Sequence, residues 1–216
     1  VIPVLLLVLT AVACGNSKSR NDQTETVDKE VIKAPEFDAD SAYQYIQVQA
    51  DFGPRVPNTQ AHKECGEYLA GQLEKFGAKV YNQYADLIAY DGTILKSRNI
   101  IGAYKPESKK RILLCAHWDS RPWADNDPDS ANWRKPIMAA NDAASGVAVM
   151  LEIARLLQQD NTLALGVDFV CFDAEDWGVP QWATDTDGDG SWALGAQHFA
   201  AHLPQGYEAR YGILLD

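Results

Sequence analysis

The chain has 216 residues, of which 46% are hydrophobic and 23% charged, a composition typical of a globular protein rather than a disordered or fibrous one. Its formal net charge of -11 argues against a nucleic-acid partner, because no basic stripe is present to neutralise phosphates. The length fits one domain with one continuous core.

The first 33 residues differ in kind from the rest. Residues 1–13 are almost entirely apolar, a run too short to cross a bilayer, which takes about 20 residues, and typical of a signal-peptide h-region. The AVAC that ends at Cys14 resembles a bacterial lipoprotein signal. We therefore expect an exported protein with a lipidated Cys14, anchored to a bacterial membrane and facing the periplasm or cell surface. An ordinary signal peptide with an incidental cysteine is the alternative.

A polar tether and two helices are expected next. Residues 14–33 lack apolar periodicity, which predicts a flexible tether after the lipidated cysteine. The folded domain is placed at residues 34–216. Helical spacing of apolar residues predicts helices over residues 41–51 and 60–76, and Gly77 is a natural C-cap for the second.

Strands follow the helices. Residues 79–89 and 93–104 flank Asp91-Gly92, a dipeptide typical of a hairpin turn. Strands then alternate with helices, in the order strand 111–117, helix 143–158, strand 167–173, helix 192–203 and strand 211–216. This alternation indicates the α/β class, with a largely parallel sheet covered by helices on both faces.

The carboxyl ends of these strands carry the candidate chemistry, since ligands bind there in such sheets. His117 ends one strand, with Asp119 two residues later to fix its tautomer. Asp142 precedes a helix, and Glu175-Asp176 follow another strand. Each site taken singly has an alternative interpretation. His117 could be a surface histidine, Asp142 could cap the helix, and Glu175-Asp176 could be two solvated acids in a loop.

The last strand ends in Asp216, a further carboxylate at the same edge. Adjacent acids beside a buried strand repel each other unless a cation or a shared proton relieves them. The convergence of these groups predicts a metal-binding rim, in which one carboxylate binds the metal and a neighbour moves protons.

Four segments in this order, HWDSRPWADNDPD, NDAASGV, FDAEDWG and ILLD, resemble the zinc-dependent glutaminyl cyclases. These enzymes are sisters of the co-catalytic zinc aminopeptidases. The resemblance covers residues 35–216 and implies a three-layer α/β/α sandwich with a mixed, mostly parallel sheet. It also implies conversion of an N-terminal glutamine of peptides to pyroglutamate with release of ammonia. HWDSRPWAD and AEDWG resemble the bacterial cyclase branch in particular.

The resemblance also implies roles for individual residues. Asp142 and Asp176 would bind zinc, Glu175 would act as general base and acid, and Asp216 would hydrogen-bond in the cyclase site. In an aminopeptidase, His117 and Asp216 would instead bind a second zinc. Trp182 would form an aromatic wall for the glutamine side chain, with ordinary packing as its alternative.

The family also uses a late histidine as the third zinc ligand. His62, His198 and His202 are not in the expected place, so we expect this ligand beyond residue 216. The chain would then lack the C-terminal part of the fold, and this fragment would be inactive or weakly metallated.

Two other functions remain open at this point. One is a two-zinc aminopeptidase that releases N-terminal amino acids, and the other is a non-catalytic, surface-binding lipoprotein. The acidic loop 185–190 resembles the start of a calcium site, but Ala196 stands where the bidentate glutamate is needed. We therefore expect a solvated loop there rather than bound Ca²⁺.

Overall fold

The computed structural model describes residues 34–160 and 162–216. The predicted h-region 1–13, the lipidated Cys14 and the tether 14–33 lie outside the described residues and stay predictions. Residues Pro35–Asp216 form one folded unit. In this described part, no helix is both long and apolar enough to span a bilayer.

Two capped helices begin the unit. Helix α1 spans Ala39–Asp51, and the Asp38 carboxylate accepts a hydrogen bond from the Ser41 N–H at its start. Helix α2 spans Gln60–Lys75 and starts in the same way at Thr59. It is followed by Gly77, whose φ of 83° is readily adopted by glycine. Both helices match the predicted positions to within about two residues.

Five strands and two further helices complete the described unit. The strands are β1 (Lys79–Ile88), β2 (Ile94–Tyr104), β3 (Arg111–His117), β4 (Gly166–Phe172) and β5 (Gly212–Leu214). The remaining helices are α3 (Ala144–Gln159) and α4 (Leu194–Ala201), and Ser130–Asn132 form one 3₁₀ turn. All five strands and both helices fall where the sequence predicts them.

The strands form one mixed sheet in the order β1-β2-β4-β3-β5. Strand β2 is antiparallel to both of its neighbours, whereas β3 is parallel to β4 and to β5. Four of the five strands therefore run in one direction, which confirms the prediction of a mixed, mostly parallel sheet.

Side-chain alternation along the strands separates the two faces of this sheet. Phe169 and Cys171 of β4 join a core with the inner faces of α2 and α3. Their neighbours Val170 and Phe172 point the other way and pack with Phe199 of α4. Helix α1 packs on α3. Helices thus cover both faces, which confirms the predicted three-layer α/β/α sandwich.

The parallel arrangement brings the carboxyl ends of β3, β4 and β5 to the same edge of the sheet. His117 is the last residue of β3, and Asp173 directly follows β4. Asp216 lies two residues beyond β5. Segments far apart in sequence are in this way assembled into one rim.

Candidate metal centre

Three metal-ligating side chains meet at this rim. His117, Asp142 and Asp216 each offer one ligand atom, and these atoms all lie within 4.8 Å of one another. His117 Nε2 is 2.5 Å from Asp142 Oδ1 and 3.6 Å from Asp216 Oδ1. The histidine is buried and the two aspartates are exposed, so the cluster opens to solvent.

The loop that carries Asp142 is fixed by hydrogen bonds to its backbone a few residues earlier. The buried Arg55 guanidinium donates hydrogen bonds to the carbonyls of Met138 and Ala139. The cap of α3 is Ala143, without a side-chain hydrogen bond, and the Asp142 carboxylate lies against His117 instead. The helix-cap alternative for Asp142 is therefore wrong.

Gly146 allows α3 to approach the last strand closely. A Cβ atom on Gly146 would lie 2.1 Å from the backbone carbonyl oxygen of Leu215. The Leu215 N–H in turn donates to the Cys115 carbonyl of β3, so Asp216 is placed by a main-chain contact. The glycine of NDAASGV thus lets the Asp142 and Asp216 segments meet.

A second buried carboxylate organises the adjacent segment. Asp119 is fully buried, and its two oxygens accept hydrogen bonds from the N–H groups of Glu175 and Asp176 at 3.1 and 3.2 Å. The same side chain lies 3.4 Å from His117 Nδ1. Asp119 therefore orients the His117 ring, as expected from the sequence, and also holds the backbone of the paired acids.

The charge balance shifts the pKa values of this cluster. Burial alone would lower the pKa of His117, but hydrogen bonds to Asp119 and Asp142 outweigh burial and raise it to about 10. The hydrogen bond from His117 lowers the pKa of Asp142. Burial raises the pKa of Glu175. Burial and then the Asp119 charge raise the pKa of Asp176 to about 8.

Asp176 pairs with Arg121 rather than joining the three-residue cluster. Its Oδ1 lies 3.7 Å from Arg121 Nη1, and its carbonyl accepts a hydrogen bond from the same nitrogen at 3.1 Å. Asp176 is not among the donors that meet within 4.8 Å in the described residues. The structure brings Asp142 and Asp216 together, whereas a zinc shared by Asp142 and Asp176 stays a prediction.

Aromatic rings form a wall near these loops. Trp123 contacts Trp177 and Trp182 edge to face, with ring centroids 5.6 and 5.7 Å apart. Trp182 is stacked with Trp133, and the Arg134 guanidinium lies 3.8 Å from the Trp182 ring centroid. The role of Trp182 as a substrate wall stays a prediction.

The donors present fit zinc. One imidazole nitrogen and carboxylate oxygens are ligands that Zn²⁺ accepts, and an open position is typical of a catalytic site. Acids outnumber nearby cations here, so a divalent ion would neutralise charge that the chain itself leaves unbalanced. The described acids of loop 185–190 do not form a comparable donor group, and Ca²⁺ there is unsupported.

Sequence reasoning missed several residues that shape the site. Arg121 and Asp125 form a buried bidentate pair within HWDSRPWAD. Arg121 also donates to the Asp176 carbonyl, and Asp125 accepts from the Gln181 N–H, which joins this segment to the loop after β4. His62, from α2, contacts the buried Asp173. The four-residue spacing of Arg121 and Asp125 is a weak signal for the first pair, but no local pattern marks the second.

The sheet topology and the histidine–carboxylate cluster place the chain in the α/β/α fold class that zinc-dependent exopeptidases share. The chain belongs to peptidase family M28, whose model matches residues 99–216, more than half of the chain. Membership supports zinc as the metal.

Solved structures extend this comparison. The chain is 62% identical to a Bacteroides thetaiotaomicron glutaminyl cyclase bound to N-acetylhistamine (TM-score 0.83; 85% of this chain, 63% of that one). It is 62% identical to a leucine aminopeptidase precursor from Bacteroides thetaiotaomicron (TM-score 0.84; 86% and 64%). It is 56% identical to a Zn-dependent exopeptidase from Parabacteroides distasonis (TM-score 0.82; 85% and 63%). The chain therefore spans just under two thirds of each of these proteins.

Proposed function

We propose that the protein is a zinc-dependent glutaminyl cyclase, which converts the N-terminal glutamine of peptides or proteins to pyroglutamate. The observation that carries this proposal is a half-buried Glu175 placed beside His117, Asp142 and Asp216, at a rim flanked by tryptophans. The 62% identity to a glutaminyl cyclase and the HWDSRPWAD and AEDWG segments support the cyclase branch.

Glu175 would carry the proton in this reaction. The α-amine attacks the carbonyl carbon of its own γ-carboxamide, a C–N bond forms, and the C–NH₂ bond breaks. Glu175 takes a proton from the attacking amine and delivers it to the departing ammonia. Burial raises the pKa of Glu175, which moves it closer to neutral pH, as efficient proton transfer requires.

The reaction is intramolecular, so the chain has to hold its substrate more than it has to bring reactants together. A near-attack conformer of the glutamine suffices because amine and carboxamide belong to one residue. We place the glutamine side chain against Trp182, beside Trp123. Asp216 lies at the rim, where its carboxylate would hydrogen-bond the substrate.

Asp142 and Asp176 are proposed to hold zinc together with a histidine from beyond residue 216. When bound, the zinc supplies a Lewis acid that polarises the carboxamide carbonyl. Asp142 is fixed by Arg55 behind its loop, and the Asp176 backbone is fixed by Asp119. The chain thus orients both carboxylates before a metal arrives.

A two-zinc aminopeptidase is the second candidate, and one observation favours it. His117, Asp142 and Asp216 lie within 4.8 Å of one another, an arrangement that would hold a metal without Asp176. Glu175 would then take a proton from an attacking water, and the product would be a free N-terminal amino acid.

Two parallel assays on the full-length protein separate these candidates. We expect cyclisation of a glutamine-initiated peptide, with ammonia release, and little hydrolysis of a leucine anilide. Glu175→Gln should lower kcat about 10²- to 10⁴-fold, the usual contribution of a general acid-base group. Asp187→Asn, in an exposed loop, is the matched control and should retain full activity.

Three outcomes would contradict the cyclase proposal. Hydrolysis without cyclisation would identify an aminopeptidase. Neither activity, with a biological role that survives Glu175→Gln, would identify a non-catalytic surface lipoprotein. Cyclisation unaffected by Glu175→Gln would remove Glu175 from its role.

We also propose that the protein is exported and anchored through a lipid on Cys14. The apolar run 1–13 and the small residues before Cys14 support this proposal. Growth with a radioactive fatty acid should label the wild-type protein and not the Cys14→Ser variant. Absence of label on the exported wild-type protein would refute the anchor.

A further inference from the structure

Two residues before Glu175, the chain leaves β4 at Asp173, whose carboxylate is buried. Asp173 is fully buried, and three donors surround its oxygens. Oδ1 lies 2.8 Å from His62 Nε2 and accepts from the Ala174 N–H at 2.7 Å, whereas Oδ2 accepts from the Arg98 N–H at 2.6 Å. A buried carboxylate needs such donors, since an unpaired one is costly.

The following residue is in an unfavourable conformation. Ala174 has a φ of 50° and is fully buried, and the left-handed region costs a non-glycine residue roughly 1–2 kcal/mol. Its N–H is held by the Asp173 carboxylate, and its carbonyl accepts from the Leu194 N–H at 3.0 Å. The direction in which the chain leaves β4 toward Glu175 therefore depends on where the Asp173 carboxylate sits.

His62 contacts both strand ends that carry the chemistry. Its ring stacks on Trp118, with centroids 4.3 Å apart and planes 17° from parallel, and Trp118 lies between His117 and Asp119. The Trp118 indole N–H donates to the Arg98 carbonyl at 3.2 Å. Arg98 in turn binds Asp173 through its own N–H. A closed ring of contacts thus joins the ends of β3 and β4 through a histidine of α2.

We propose that His62 is a positioning residue for the reaction, which sets the placement of Glu175 relative to His117 by holding Asp173 while stacking on Trp118. The inference rests on the proposed function of Glu175. His62 is buried against Asp173 and Trp118, so its loss should slow the chemical step and leave substrate binding intact. A misplacement of about 1 Å can cost about 10²-fold in rate.

Two variants of the full-length protein separate hydrogen bonding from packing. His62→Phe keeps an aromatic ring on Trp118 and removes the donor to Asp173. His62→Gln places an amide N–H near the Nε2 position and removes the ring. We expect kcat to fall about 10- to 100-fold in His62→Phe with KM and zinc content unchanged, and His62→Gln to recover most of the loss.

A second readout is independent of activity. Hydrogen exchange at the Glu175 and Asp176 amides should accelerate in His62→Phe and stay near the wild-type rate in His62→Gln. His198→Phe, in α4 on the other side of the sheet, is the control and should change neither readout. An inactive wild-type enzyme would refute the proposed function, while the exchange rates would still test the positioning.

The proposal is overturned if His62→Phe keeps the wild-type kcat and the wild-type rate of hydrogen exchange at the Glu175 and Asp176 amides. It is also overturned if the Phe and Gln variants lose thermal stability and kcat in equal measure, because His62 would then only fill the core. Should His62→Phe fail to fold, His62→Asn replaces it: the shorter amide reaches the Nδ1 position and should lose kcat where His62→Gln does not.

Discussion

The two ends of strands β3 and β4 use buried charge in opposite ways. At the start of the strands, Arg111 binds Asp168 through two hydrogen bonds of 2.5 and 2.8 Å, and the Tyr207 hydroxyl donates to the same carboxylate. At the other end, acids gather around His117 with Arg121 as the neighbouring cation. Where positive and negative side chains are paired, as at Arg111 and Asp168, the charges stabilise the fold. Where they are not, the charge is unbalanced and the surplus is available to a ligand.

The largest expected effect is at the unbalanced end. Asp142→Asn removes a charged ligand atom from the cluster, and we expect zinc content to fall sharply and kcat/KM to fall more than about 10²-fold. Even groups one step removed from a metal typically cost 10–100-fold. Metal analysis of the purified full-length variant, next to Asp187→Asn, checks this. Wild-type zinc content in Asp142→Asn would show that Asp142 is not a ligand.

At the start of β3 and β4, where Arg111 and Asp168 are paired, a substitution should lower the stability of the fold rather than the zinc content. Arg111→Met leaves the buried Asp168 carboxylate without its cation, and breaking such a pair costs about 3–5 kcal/mol of unfolding free energy. Denaturant titration of the full-length protein measures this loss. The double variant Arg111→Met with Asp168→Leu should recover much of it, because both charges are gone. If Arg111→Met lost zinc but kept its unfolding free energy, the proposed contrast between the two strand ends would be wrong.

The smallest effect is a pH dependence at Asp125, a balanced acid close to the unbalanced rim. Burial would raise its pKa, but hydrogen bonds from Arg121 outweigh burial and hold the pKa below the ordinary 3.8. The ionised form thus stabilises the fold above pH 3.8, and this contribution disappears as the pH falls through the lower folded pKa.

Asp125→Asn tests that sign. Wild type should exceed the variant by about 1.5–3 kcal/mol of unfolding free energy at neutral pH, the usual range for hydrogen bonds to a charged group. The difference should shrink as the pH drops below 3.8. A difference that is constant with pH would show that the Asp125 charge is not what stabilises the loop.

The positions of the helices, the strands and the acidic rim can all be predicted from the residue pattern. Apolar periodicity placed the helices and strands, because burial of one face imposes its period on the chain. Alternating strands and helices imply a parallel arrangement, which brings His117, Glu175 and Asp216 to one edge. The motif resemblance added the family, which the comparison with M28 confirmed.

Which charged side chains meet depends on the packing of the folded chain. His62 and Asp173 are 111 positions apart, and Arg111 and Asp168 are 57 apart, so no local pattern relates them. The same holds for Asp142, which could cap a helix by its sequence position but lies against His117 in the fold. Side-chain partners depend on how layers pack around a shared core, and packing is a property of the whole chain.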